Sequence, residues 1–561
     1  MQFNTYYQGK NNLANEFSLA FLLVLLQNST RCGKLVLRGI QMTCYQLLCE
    51  RANKNGDIVF FNRKTKIADF LRDIDLFANG LVAIGLQKGD VVTIYLPTCP
   101  QSLVAFYACS KLGMVANIVH PVTPLDQLEQ NLKTTNSKAL LFYDALVKDE
   151  RKLGNFGQLL IRCSIADYVG LRKPIFALYS ALTTRRIFGV ITYQQMLISG
   201  TTPTQSDGSA VVCYMHSGGT TGNAKIVTLT NDALNGTADS IEKMYHPAKT
   251  IGCYSLVTLP VFHAYGLCAG VHTPLLLGYS AILVPRFDCK IVNTYIKKHN
   301  VTLWAVVPAM LKKMQRQKLL DKPHLKKLDV IWCGGDFLEE SLVDEVDNIL
   351  AKNGSTGKVM RGYGLTETCG VCVVNNYDFY QKGSCGRPMP GCSVKIVDES
   401  GAELPASTKG EIVLYSPGAT AGYLDGTTCV LADGGVKTGD VGYLDEEGYL
   451  YLVDRKKRSV KISAVNVFPA EVEGCIAELD FVADCCVVPY KVNGKIFLKA
   501  FVTLQEDATL PKNVEKVVIE HCKAKLMRYS VPSSVAVLDK LPLTKMAKVD
   551  YLALQKLAEE Q

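Results

Sequence analysis

Two stretches of this chain switch repeatedly between strand-like and helix-like hydrophobic patterns, and that alternation limits the fold more than any other feature. From Ile67 onward, Phe70, Ile74, Phe77 and Leu81 recur at helical spacing until Gly85 and Gly89 break the pattern. Val91 to Leu96 then reads as a buried strand ended by Pro97, Ala105 to Lys111 as a helix stopped at Gly113, and Met114 to Val119 as another strand. The alternation returns further on, where Leu328 to Cys333 reads as a strand running into Gly334-Gly335. A helix follows that buries Leu342, Val343, Val346, Ile349 and Leu350, with Gly354 as its cap. Repeated alternation of this kind predicts α/β layers with largely parallel sheets. After Gly383 the pattern changes. Ser393 to Val397, Glu411 to Tyr415 and Tyr449 to Val453 read as short strands between Gly- and Asp-rich turns, a smaller β subdomain.

At 561 residues the chain exceeds a single core. Residues 1–40 read as an extension, 41–454 as a large domain of layered α/β subdomains plus the β subdomain, and 455–561 as a small mobile α+β domain. The basic run Asp454-Arg455-Lys456-Lys457-Arg458 marks the boundary. A net charge of +9 over so large a surface suits polyanionic small molecules and is too dilute to indicate nucleic acid. The 20 cysteines are scattered, and Cys369 and Cys372 form a C-x-x-C with no second pair, so neither a disulfide framework nor a zinc site is read there. Thiols inside apolar runs point to a reducing compartment. The apolar run Leu19 to Leu26 lacks a basic flank and a cleavage site, and no run reaches about 18 apolar residues, so a cytoplasmic chain is expected.

The most informative segment is the loop His216-Ser217-Gly218-Gly219-Thr220-Thr221-Gly222-Asn223-Ala224-Lys225. Glycines free the backbone to present N–H groups, hydroxyls add donors and a lysine closes the loop, an inventory for polyphosphate. It lacks the P-loop spacing, in which Gly-Lys is followed directly by Ser or Thr. Four further segments follow in order: Pro260-Val261-Phe262-His263-Ala264-Tyr265-Gly266, Tyr363-Gly364-Leu365-Thr366-Glu367, Thr438-Gly439-Asp440 and Asp454-Arg455. Lys548 ends the series. Together these resemble the core motifs of the adenylate-forming enzymes, the superfamily of acyl- and aryl-CoA synthetases, peptide-synthetase adenylation domains and firefly luciferase, over about nine-tenths of the chain.

The resemblance implies that a carboxylate attacks the α-phosphorus of ATP, giving an acyl-adenylate and pyrophosphate, and that the acyl group then passes to coenzyme A. By the family pattern Ser217, Gly218, Gly219, Thr220, Thr221, Gly222 and Lys225 hold the β- and γ-phosphates. Thr366 donates to the α-phosphate and Glu367 ligates Mg²⁺. Tyr363 and Gly364 flank adenine beside Gly334, Gly335 and Asp336, and Asp440 accepts the ribose hydroxyls near Arg455. Lys548 bridges the substrate carboxylate and the α-phosphate as a point charge. Lys457 aligns with the hinge about which the small domain rotates, bringing Lys461 to the second half-reaction.

Ala464 and Ala547 stand where the family usually has glycine, and Ile226 replaces the glycine after Lys225, which bears on thioester formation more than on adenylation. His263 stands where amino-acid-activating members carry Asp, so no acidic anchor for an ammonium is present. Tyr265, Gly266, Cys268, Gly270 and Cys369 are expected to wall an acyl pocket for an uncharged tail, a medium- or long-chain fatty acid. Residues 162–188 mix apolar side chains with Arg162, Arg172, Lys173, Arg185 and Arg186 against the single acid Asp167, a pattern suited to peripheral contact with an anionic membrane or to a packed surface helix. The expected activity is therefore that of an acid–CoA ligase using ATP, Mg²⁺ and coenzyme A. An acyl-adenylate ligase loading an acyl carrier protein and a non-catalytic nucleotide- or acyl-binding protein are the alternatives.

Overall fold

The computed structural model describes residues 42–560 apart from 155, 169–173, 175–183, 218–224, 246, 248, 321–322, 337, 463–464, 493–494, 506–507 and 544–548. Two large, mainly parallel sheets form the body, as the alternation predicts. One has eight strands and carries Val91–Tyr95, Val115–Ile118, Ser137–Tyr143 and Leu159–Cys163 in parallel, with Val211–His216 joined to Ile226–Thr230 as an antiparallel hairpin. The other has nine strands, with Tyr254–Val257, Val301–Val306, Val330–Cys333 and Lys358–Tyr363 in parallel register. A four-stranded antiparallel sheet follows, made of Ser393–Val397, Gly410–Tyr415, Val436–Leu444 and Leu450–Arg455.

The helix expected over Ala105–Lys111 is longer, running from Pro100 to Leu112. All of its residues are buried, so it has no polar stripe from which to read its start. Pro100 sits in the first turn, where its missing N–H costs nothing, and Gly113 ends the helix in the left-handed region. The strand Val436–Leu444 escapes a hydrophobic-pattern reading because Gly439 and Gly442 interrupt it. A Cβ at Gly442 would come within 2.5 Å of the Tyr451 carbonyl, and the pairing shifts register there.

Beyond Arg455 the chain builds separate cores. Val467, Val472, Val487, Val502, Val518 and Cys522 belong to one, and Val488, Phe501 and Leu554 to another. These pack the helices Pro469–Ile476, Val514–Lys525 and Tyr551–Glu560 against a three-stranded sheet. Among the described residues no helix is long and apolar enough to cross a membrane.

Part of the 162–188 stretch points inward rather than toward lipid. Arg162 is buried and forms a two-pronged pair with fully buried Glu150, one arm at 2.6 Å. Tyr168 is buried too, donating to Asp73 at 2.7 Å and meeting the Tyr193 hydroxyl at 2.9 Å. Phe188 is fully exposed, while Val169, Leu171, Arg172, Lys173, Ile175, Phe176, Leu178, Tyr179 and Leu182 lie outside the described residues.

A buried histidine makes this core acid-sensitive. His272 is fully buried, with Tyr107 at its Nδ1 and Asn235 at its Nε2, both at 3.0 Å. Burial, helped by the charge of Arg51, pushes its pKa from 6.5 down to about 3. Folded His272 stays neutral where the unfolded side chain takes up a proton. Its contribution is therefore intact above pH 6.5 and is lost as pH falls toward 3, by about 2 kcal/mol at pH 5. Denaturant unfolding at pH 7 and pH 5 should show a larger loss in the wild type than in His272→Gln; equal losses would exclude this histidine as the cause.

Candidate functional site

Consecutive parallel strands of the nine-stranded sheet deliver two of the predicted segments side by side. Val330–Cys333 runs into Gly334, Gly335 and Asp336, and its neighbour Lys358–Tyr363 ends at Tyr363 and continues into Gly364. Crevices beyond the carboxyl ends of such strands are where open α/β sheets bind ligands. Two glycines have geometric reasons. Gly335 turns with φ of +84°, and a Cβ on Gly364 would sit 2.6 Å from the Cα of Val371.

The four-stranded sheet supplies the opposite wall. Asp440 and Arg455 are cross-strand partners, and the Arg455 Nε lies 2.7 Å from Asp440 Oδ1. Asp440 Oδ2 accepts from the Tyr363 hydroxyl at 2.7 Å, so three of the predicted residues form one cluster. Burial raises the Asp440 pKa, with the Arg455 charge and the Tyr363 hydroxyl opposing it. Burial likewise holds the Tyr363 hydroxyl far above its ordinary value, so it stays protonated and donates.

A second cluster joins the loop to the Thr366-Glu367 turn. Ser217 donates its N–H to the Lys225 carbonyl at 2.9 Å, closing the base of the loop between the hairpin strands; Gly218, Gly219, Thr220, Thr221 and Gly222 lie outside the described residues. The Lys225 ammonium stands 4.1 Å from the centre of the Tyr423 ring and bonds Thr427 Oγ1 at 3.3 Å. The Tyr423 hydroxyl donates to Glu367 Oε1 at 3.0 Å, and Thr420 N–H donates to the Glu367 carbonyl at 2.8 Å. Neither Tyr423 nor Thr420 stands out in the sequence, since each reaches the site only by the pairing of Gly422–Tyr423 with Ile226–Thr230. His216, at the start of the loop, is held neutral by burial, its pKa lowered to about 4, and its Nε2 lies 3.0 Å from Asn117 Oδ1.

Beside the ends of these strands lies a narrow pocket. Its lining includes Met244, Tyr265, Trp332, Met360, Val371 and Met389, with Gly334 and Gly335 also on its wall. The Tyr265 hydroxyl donates to the Trp332 carbonyl at 3.0 Å, and the Trp332 ring meets Tyr245 edge-on at 5.3 Å. Of the expected acyl-pocket residues Tyr265 lines this cavity, whereas Gly266, Cys268, Gly270 and Cys369 do not. Cys268 and Cys369 are fully buried in the main core, and Gly266 packs against the Pro260 carbonyl. Cys369 closes the Thr366–Thr368 turn in the left-handed region at φ +53°, and it is its neighbours Gly370 and Val371 that reach the cavity. His263 caps the short helix Ala264–Leu267, with its ring 5.0 Å from that of Phe262, which in turn lies 4.3 Å from His120.

Lys457, the expected hinge, is exposed between two anchored cations. Lys456 reaches Glu411 at 2.7 Å, and Arg458 pairs with Asp454 and Glu473. Lys461 lies on Val460–Ile462 opposite Asn466, and Ala464, Ala547 and Lys548 fall outside the described residues.

Comparison with known proteins agrees with this layout. The chain is 28% identical over 532 residues to a long-chain-fatty-acid–CoA ligase of Bacillus subtilis (strain 168), covering 90% of this chain and 93% of that one. It is 26% identical over 517 residues to the 4-coumarate–CoA ligase-like 6 of Arabidopsis thaliana, covering 88% and 87%. The fold superposes on ATP-bound MatB from Rhodopseudomonas palustris with a TM-score of 0.77 at 23% identity, over 92% of this chain and 99% of that one. The AMP-binding enzyme C-terminal domain pattern matches residues 471–548. The AMP-binding enzyme pattern matches residues 49–424, and the chain belongs to that family.

Proposed function

We propose that the chain is an AMP-forming acid–thiol ligase: it joins a carboxylic acid to ATP as an acyl-adenylate with release of pyrophosphate, then passes the acyl group to coenzyme A with release of AMP. The observation that carries this reading is the Tyr363–Asp440–Arg455 cluster facing the ends of the same strands that border an apolar cavity. Asp440 is placed to accept ribose hydroxyls, and Tyr363 to lie against the base. The loop closed by Lys225 offers backbone N–H groups and positive charge to the departing pyrophosphate. Glu367 suits a magnesium ion. It is a half-buried hard carboxylate held by the Tyr423 hydroxyl on a backbone held by Thr420, and magnesium takes one or two carboxylates together with substrate phosphates. When bound there, the ion neutralises phosphate charge. Thr366 and Lys548 are assigned to the α-phosphate, and Lys457 to the pivot of the small domain, residues 455–561, that presents Lys461 for thioester formation.

The acid is read as a medium- or long-chain fatty acid, because the described cavity is walled by Met, Val, Trp and Tyr side chains. The flat faces of Tyr265 and Trp332 favour an aryl acid as the second reading. Residues 169–188, with exposed Phe188 near Arg185 and Arg186, are assigned to collecting such acids at an anionic lipid surface. A pyrophosphate-release screen over aliphatic, aromatic and bile acids, with and without anionic liposomes, tests all of this. Release with alkanoic acids that rises with liposomes supports the fatty-acid reading, and release with aryl acids alone selects the second. No release with any acid would leave a non-catalytic binding protein, and release without coenzyme A acylation would favour the carrier-protein ligase.

A further inference from the structure

Away from the nucleotide site, two helices of the C-terminal segment bring together a set of side chains that the ligase reaction does not use. Cys475 lies near the end of Pro469–Ile476, Glu478 in the turn after it, and His521 on Val514–Lys525. One ligand atom from each of these three lies within 4.8 Å of the other two. His521 Nε2 is 3.0 Å from Glu478 Oε2. Cys522, the neighbour of His521 in the chain, is buried in the same small core as Cys475.

We propose that Cys475, Glu478 and His521 form a zinc site that staples these two helices, with water completing the four ligands. Mixed sulfur, imidazole and carboxylate donors select a borderline-soft ion such as Zn²⁺ over Mg²⁺ or Ca²⁺. Four-coordinate zinc holds its ligand atoms about 3.5 Å apart, so the observed cluster needs only a small contraction. Binding releases the Cys475 thiol proton. One thiolate and one carboxylate balance the charge of Zn²⁺, and the Lys525 ammonium touches the same Glu478 carboxylate. The pairing of residues 475 and 478 with 521 follows from helix packing, and neither half has a ligand spacing that stands out in sequence.

Cobalt(II) titration of the full chain, purified reduced and free of chelator, is the test. One tight cobalt per chain with a thiolate-to-cobalt band and the visible spectrum of a four-coordinate ion is expected. Cys475→Ser and His521→Asn should each weaken binding roughly 100-fold, the upper end of what losing a mere outer-shell partner costs. Cys49→Ser, a half-buried thiol elsewhere in the fold, should bind like the wild type. Absence of the thiolate band in the wild type overturns the proposal, as does its persistence at full strength in Cys475→Ser and His521→Asn. His521 is only partly buried, so its variant keeps the test valid if the cysteine variant fails to fold.

Discussion

Lys548→Ala is expected to lower acid-dependent pyrophosphate exchange by about 100- to 1,000-fold, the range for removing one preorganised charge or donor from a developing transition state. On the proposed reading two anions meet at the α-phosphorus, and the lysine is the charge assigned to offset their repulsion. The loss should fall on kcat rather than on KM for ATP, because the phosphates keep the loop and Glu367. Thioester formation from preformed acyl-adenylate should survive, since the proposed second half-reaction is assigned to Lys461 instead. Thermal unfolding should be unchanged. Substantial residual exchange would mean that another cation bridges the two substrates.

Asp440→Asn should separate binding from stability. The carboxylate is acceptor to both Arg455 and Tyr363, and the proposed function assigns it to the ribose. An amide keeps one acceptor and introduces a donor where two hydroxyls need to donate. Losing a charge-assisted hydrogen bond costs about 1.5–3 kcal/mol, so kcat/KM for ATP should fall roughly 10- to 100-fold. Stability should move the other way or not at all. Burial raises the Asp440 pKa, so the folded state is favoured while the group is protonated and loses that advantage as pH rises through the folded value. At neutral pH the ionised carboxylate is thus a burden on the fold, and asparagine of the same shape removes it. A melting point at pH 7 that stays level or rises while ATP affinity falls is the expected pattern, a site held at the expense of stability. A large drop in melting point would instead make the cluster a structural tie.

How much of this was legible in the chain differs from element to element. The helix Ile67–Ala83 shows itself because one face is solvated and the apolar period is visible. Pro100–Leu112 hides its start because it is buried all round, and Val436–Leu444 hides behind glycines that a close-packed partner requires. The cluster of Tyr363, Asp440 and Arg455 was legible because the three come from short local motifs, and they meet within hydrogen-bond distance. The lining of the pocket was not. Cys268 and Cys369 stand just after two of the sequence motifs yet are buried in the core, while Met244 and Met389 come from segments without a signature. Side-chain direction is decided by packing, and a one-residue step along a turn, from Cys369 to Gly370, moves a position from core to cavity. Tyr423 escaped for a related reason, since only strand pairing brings it between Lys225 and Glu367.

The many cysteines acquire a different meaning once their surroundings are known. All those described are free, and most are buried. A sealed thiol is silent toward alkylating reagents until the segment around it opens, so each one keeps time for its own neighbourhood. Cys213 and Cys268 clock excursions of the nucleotide-binding body, and Cys486 and Cys522 those of the terminal segment. Without any engineered label, the protein thus carries a distributed set of stopwatches for the breathing of its two halves.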